Sequence, residues 1–142
     1  MAIKQISIFV ENKPGRLAKI TSMLAENLVD IRALSIADTT DYGILRLIVS
    51  DPEKAEKVLK EAKLTVSITN VLGIGIPDVP GGFSLAIKAL ANADISVEYA
   101  YAFITPDAGK AYVIIRVEDN DAATKVLTEA DIKVIDQNEI FI

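Results

Sequence analysis

The chain of 142 residues has no cysteine and no histidine. It therefore offers no thiolate nucleophile, no imidazole base, no disulfide and none of the usual ligands of a structural zinc. Most common catalytic constellations are excluded, and no catalytic residue, metal site or cofactor is assigned. Long hydrophobic runs are missing too. No stretch approaches the roughly 18 uninterrupted apolar residues of a membrane span, and the N-terminus lacks a basic-then-apolar signal pattern. A cytoplasmic protein with no membrane partner is expected. Nor does the sequence show a cluster of Lys and Arg, and its formal net charge is -5. Nucleic acid would be repelled over most of such a surface, so it is not expected as a partner. What remains is 51% hydrophobic and 25% charged residues, the composition of a folded chain with enough apolar surface for one good core or two small ones.

Paired carboxylates are the one catalytic device still available. Asp51, Glu53, Asp119 and Asp121, however, stand where helices begin, and acidic residues there usually act as caps and as partners of the helix dipole.

The most informative feature is a repeat. Asn12-Lys13-Pro14-Gly15-Arg16-Leu17 returns as Asp78-Val79-Pro80-Gly81-Gly82-Phe83, with the two prolines 66 residues apart. Tyr42 to Asp51 matches Lys110 to Asp119, and Val58-Leu59 matches Val126-Leu127, both at a shift of 68. Self-similarity of this length marks a duplicated unit of about seventy residues, and divides the chain into residues 1–68 and 69–142.

Within one repeat, Ile6, Ile8 and Val10 alternate with Gln5, Ser7 and Phe9 at strand spacing. Pro14 is expected to start a helix with Leu17, Ile20, Leu24 and Leu28 on one face. Asp30-Ile31 leads into a second strand through Ile36, Asp38 to Asp41 is turn chemistry, and Gly43 to Val49 is a third strand. Asp51-Pro52 opens a helix with Ala55, Val58, Leu59 and Ala62 inward, and Leu64 to Ile68 is a fourth strand. The second repeat follows, with helices near Gly81 to Asn92 and Asp121 to Glu129. Leu64 to Ile76 is almost continuously strand-like, so the repeats are expected to be rigidly joined. The fold class is α+β: two ferredoxin-like βαββαβ units, with antiparallel sheets and helices on one face. Leu45, Leu47, Val49 and their counterparts Val113, Ile115, Val117 are assigned to the helix side. The opposite set, Ile44, Arg46, Ile48 against Tyr112, Ile114, Arg116, is largely apolar without a helix to cover it. Packing of these faces on each other or on a second chain is expected, with a homodimer as the default and the two arginines paired near its interface.

The Pro-Gly turn is the candidate site. Gly15 removes a side chain beside the open N–H groups of the helix start, which together with the dipole suit a carboxylate. Asn12 and Asp78 offer oxygens that could accept from an ammonium group. The pair suits an amino acid zwitterion, although Asn12 and Asp78 would equally serve as plain helix caps. Tyr99 and Tyr101 alternate on a strand and either line a ligand site or simply pack. Gly73 and Gly75 replace Ser7 and Phe9 of the first repeat, which marks either close approach of another group or mere tolerance.

Asn-x-Pro-Gly-x-Leu after an apolar strand, followed by an amphipathic helix, Asp30-Ile31 and the Ala33-Leu34-Ser35 strand, resembles the ACT domain, the small-molecule-sensing module of amino acid metabolism. The resemblance covers the whole chain as two copies, like a stand-alone tandem ACT protein with no attached enzyme. It implies a ferredoxin-like fold, side-by-side domain pairing, and amino acid effectors at domain interfaces beside the Pro-Gly turn. By position it nominates Asn12, Pro14, Gly15, Arg16 and Leu17 as one site, and Asp78, Pro80, Gly81, Gly82 and Phe83 as the other, with Tyr99 and Tyr101 near a neighbouring domain. The second repeat departs from the pattern: Asp stands for Asn, Gly82 for a larger residue, and the helix is about two residues shorter. The two sites need not bind the same ligand. The expected function is a non-enzymatic amino acid sensor that biases association with a metabolic enzyme or regulator. Its rivals are a regulatory small subunit of acetohydroxyacid synthase, an enzyme on the same scaffold, and a purely structural dimerisation module.

Overall fold

The computed structural model describes residues 2–38, 41–103 and 108–140. The chain forms two compact units, Lys4–Thr69, and Asn70–Ile142 together with Met1–Ile3. Elements in chain order are β1 (Ile3–Glu11), α1 (Arg16–Glu26), β2 (Ile31–Asp38), β3 (Tyr42–Val49), α2 (Pro52–Glu61) and β4 (Thr65–Pro77). There follow α3 (Gly82–Asn92), β5 (Tyr99–Phe103), β6 (Lys110–Arg116), α4 (Asn120–Glu129), β7 (Lys133–Ile135) and a 3₁₀ turn, Gln137–Glu139. Each unit is the α+β, ferredoxin-like arrangement. In the first, the strand order is β2-β3-β1-β4. In the second, the C-terminal half of β4 pairs with both β6 and β7, and β6 with β5, all antiparallel.

Strand alternation decides which side chains meet the helices. In the first unit Ile6 lies opposite Leu47 and Ile8 opposite Leu45, and these four join Ile20, Leu24, Val49, Ala55 and Leu59 in one buried cluster. The second unit repeats the device with Leu72, Ile74, Ala86, Leu90, Val113, Ile115, Val117 and Leu127. Truncating one such Leu or Ile to Ala costs about 2–5 kcal/mol, so this register is strongly specified. The helix side of β3 and β6 is as the alternation predicts. On the opposite face Ile48 and Ile114 are fully buried. Arg116 there pairs with Glu98 at 3.4 Å and donates from Nη1 to the Val117 carbonyl at 2.7 Å. The paired glycines of β4 have a steric reason. A Cβ at Gly73 would lie 2.6 Å from Ile3 Cδ1, and one at Gly75 would touch the Tyr112 ring at 3.4 Å.

Helix ends differ from expectation at three places. The first helix of the second repeat is not shortened: α1 and α3 have 11 residues each, because Asp94 takes the place of Leu28 and not of Asp30. α1 begins at Arg16, after a left-handed Gly15, rather than at Pro14. It ends at Glu26, so Leu28 is not on its apolar face but beyond it, left-handed and exposed. The four α-helices among the described residues close the same way: Leu28, Lys63, Asp94 and Asp131 have positive φ. The next residue, Val29, Leu64, Ile95 or Ile132, returns an N–H to the carbonyl five residues back. This is the Schellman closure, here without glycine. Two helix starts are capped as the acidic residues suggest: Asp51 accepts from Lys54 N at 3.1 Å and Asp119 from Ala122 N at 3.0 Å. Of the turn expected at Asp38 to Asp41, Thr39 and Thr40 lie outside the described residues.

Candidate functional site

The two Pro-Gly turns have the same backbone. Gly15 (φ 84°) and Gly81 (φ 86°) occupy the N-cap position of α1 and α3 in the left-handed region, where glycine alone is unstrained. Neither helix start carries a side-chain cap, so Asn12 and Asp78 are not the helix caps that they could have been. Their backbones are instead tied across to the following hairpin, Asn12 N to Asp41 O at 2.9 Å and Asp78 N to Gly109 O at 3.0 Å. An uncapped first turn presents N–H donors and the positive end of the dipole, which favour an anion.

In the first unit the turn opens on a cavity of about 130 Å³ lined by Val10, Glu11, Asn12, Lys13, Arg16, Leu17, Ile36, Gly43 and Leu45. Three of the nominated residues, Asn12, Arg16 and Leu17, are thus brought together, while Pro14 and Gly15 shape the turn without lining the space. Ile36, on the helix side of β2 opposite Leu45, and Glu11 join them, and sequence spacing singled out neither. Glu11 accepts from Lys13 at 3.0 Å and faces Arg16 at 3.8 Å. The Lys13 hydrogen bond first, then the charges of Lys13 and Arg16, hold its carboxyl below the usual carboxylate range, so it stays ionised near neutral pH.

The second turn differs where the sequence departs from the first. Gly82 stands where the first unit has Arg16, and it is buried. A Cβ at Gly82 would fall 2.1 Å from the Pro77 carbonyl oxygen, so no guanidinium can be carried at that position without moving β4. Asp78, Pro80, Gly81 and Phe83 keep their places around the turn and are exposed. Tyr99 and Tyr101 are not brought to it. They lie opposite Arg116 and Ile114, on the sheet face away from α3, with ring centroids 6.5 Å apart.

The family model of the ACT domain pair matches residues 1–142. The chain belongs to the ACT domain pair family. A solved structure of a protein from Bacteroides thetaiotaomicron is 40% identical to this ACT pair with a TM-score of 0.93, over 99% of this chain and 96% of that one. The ligand-free regulatory subunit of aspartate kinase from Thermus thermophilus shares the fold at a TM-score of 0.64 and 18% identity, covering 89% of this chain and 91% of that one. Among curated proteins, an aspartokinase of Corynebacterium glutamicum is 27% identical over 136 residues, which is 84% of the ACT pair but only 31% of the aspartokinase.

Proposed function

We propose that this ACT pair is a non-enzymatic regulatory module that binds a small amino acid beside the Pro-Gly turn of the first unit, with a second, chemically different site at Asp78 to Phe83. The observation that carries the reading is the uncapped start of α1, held open by a left-handed glycine, next to a cavity lined by Asn12, Arg16, Leu17 and Ile36. The ligand carboxylate would take the helix N–H groups and Arg16. Its ammonium group would take the oxygens of Asn12 and Glu11, and its side chain would lie on Leu17, Ile36 and Leu45. A space of about 130 Å³ suits a compact amino acid. No nucleophile or base is required anywhere in this reading, and the module would work by biasing an association.

Assembly belongs to the same reading. Leu17, Leu28, Leu34 and Ile36 are exposed on the flank of the first unit where α1 and β2 meet, and a second copy of the chain laid against it would both bury them and close the cavity. The likeness to part of an aspartokinase supports an enzyme of amino acid biosynthesis as the regulated partner, in the cytoplasm.

The test is a thermal-shift screen of the twenty amino acids. A ligand at 100 times its dissociation constant stabilises by about 2.7 kcal/mol. One amino acid should shift the wild type, and Arg16→Ala should lose the shift while folding normally. If none shifts the protein at millimolar concentration, the site is not an amino acid site and the chain is a pairing module only.

A further inference from the structure

A second and larger cavity of the first unit lies at the other flank of α1, where β1 leaves the sheet and α2 turns into β4. Its volume is about 340 Å³, and its lining includes Arg16 and Lys19 from α1, Lys63 from the α2–β4 corner, Glu11, Phe9 and Tyr42. Three cations from two distant segments therefore meet round one space in a chain whose formal net charge is -5. One lining carboxylate, Glu11, opposes them, and Arg16 faces it at 3.8 Å. Lys19 and Lys63 make no ion pair among the described residues. Two positive charges in excess are left facing the space.

The duplication supplies an internal comparison. The corresponding cavity of the second unit, about 270 Å³, is lined by Ile76, Pro77, Lys110, Tyr112, Asp131 and Lys133 among others; its two lysines stand where the first repeat has Tyr42 and Thr65, and Lys133 is paired with Glu139 at 2.7 Å. By repeat position Gly82 replaces Arg16, Leu85 replaces Lys19 and Asp131 replaces Lys63. The backbone architecture that makes the hollow is common to both units, but the three cations belong to one. A fold-imposed crevice explains the space and not its charge.

We infer that this cavity binds a small dianion, a phosphate monoester or a dicarboxylate, between Lys19, Lys63 and Arg16. Two negative charges balance the excess of the lining, and a hollow of this size holds more than an inorganic ion. Lysines fit the role because an ammonium is a compact point charge on a flexible stem, and a dianion recruits them at little cost in a half-open site. Binding here is distinct from the amino acid reading of the smaller cavity. The two share Val10, Glu11 and Arg16, so the test avoids all three.

The experiment titrates the wild-type chain with phenyl phosphate, succinate and acetate by NMR at low ionic strength, following the amides of Lys19, Lys63 and Leu64. One of the dianions should bind at least tenfold more tightly than acetate and weaken with added salt; which of the two does so separates phosphate from dicarboxylate recognition. Lys19→Ala and Lys63→Asp, the latter copying the second repeat, should each weaken it by about tenfold or more, and Lys110→Ala, on the second cavity, should leave it unchanged. Equal affinity for all three probes overturns the inference, as does equal weakening by the Lys110 control. Both lysines are exposed, so the variants fold, and the amino acid response of the smaller cavity should survive in them.

Discussion

Substituting Gly82 by Ala should destabilise the protein by about 1–2 kcal/mol, although alanine is the better helix former. The new Cβ would sit 2.1 Å from the Pro77 oxygen and 3.2 Å from its carbonyl carbon. Carbon and carbonyl oxygen ordinarily approach no nearer than about 3.3 Å, so the two must separate by more than an ångström. The obstacle is backbone, and it cannot swing aside: Pro77 ends β4 in register with Lys110, and Gly82 N is bonded to Val79 O at 3.0 Å. Overpacking of this kind costs about 1–3 kcal/mol, offset by about 0.5–1 kcal/mol that alanine gains over glycine in a helix. Two internal controls share the chemistry without the clash. Arg16 holds the same repeat position in an exposed setting, so Arg16→Ala should change stability by less than about 0.5 kcal/mol. Gly15→Ala meets nothing within 4 Å but inherits φ 84°. It should cost about 1 kcal/mol from the left-handed backbone alone, with Gly15→Asn milder and a β-branched residue worse. Urea unfolding of the four variants, with binding of the best amino acid measured on those that remain folded, tests the set. If Gly82→Ala unfolds at the same urea concentration as Arg16→Ala, the close approach to Pro77 does not exist and the asymmetry of the two turns needs another cause.

Removing the caps of the other helices, by Asp51→Ala or Asp119→Ala, should cost about 1 kcal/mol each in the same assay, whereas Asp78→Asn should be silent in stability because its side chain caps nothing. Should Asp78 hold an ammonium group, that variant would lose preference for an amino acid over its deaminated analogue, read by calorimetry. Light scattering at micromolar concentration should give a dimer mass, and Leu34→Asp or Ile36→Asp a monomer; a monomeric wild type removes the proposed pairing. Glu53 and Glu139 have carboxyls held below the ordinary value of 4.5, chiefly by hydrogen bonds from Lys4 and Lys133. A lowered folded pKa contributes stability that is complete above 4.5 and is lost as pH falls through the lowered value. Glu53→Gln and Glu139→Gln should therefore be less stable than the wild type at pH 7, with the difference shrinking as pH falls below 4.5, measured by thermal melts across that range.

The sequence alone determined the duplication, the order of the main elements and the helix-facing side of β3 and β6. Those follow from local signals: period-two alternation in Ile6 and Ile8, the cap chemistry of Asp51 and Asp119, and a Pro-Gly turn that recurs. It also nominated Asn12, Arg16 and Leu17, which line one cavity, because they fall within six consecutive residues. What it left open was whatever depends on residues distant in the chain. That Asn12 and Asp78 are not the N-cap residues is decided by the left-handed glycines, which take that position three residues later. That Leu28 ends outside the helix is decided by its closure onto Leu24 and Ala25. Tyr99 and Tyr101 fall away from the turn because the register with β6 sends their side chains to the other face, a parity that a strand's own residues do not set. The sequence shows no basic cluster, yet Arg16, Lys19 and Lys63 line one cavity, since only the packing of α1 against the α2–β4 corner brings positions more than forty residues apart to one surface.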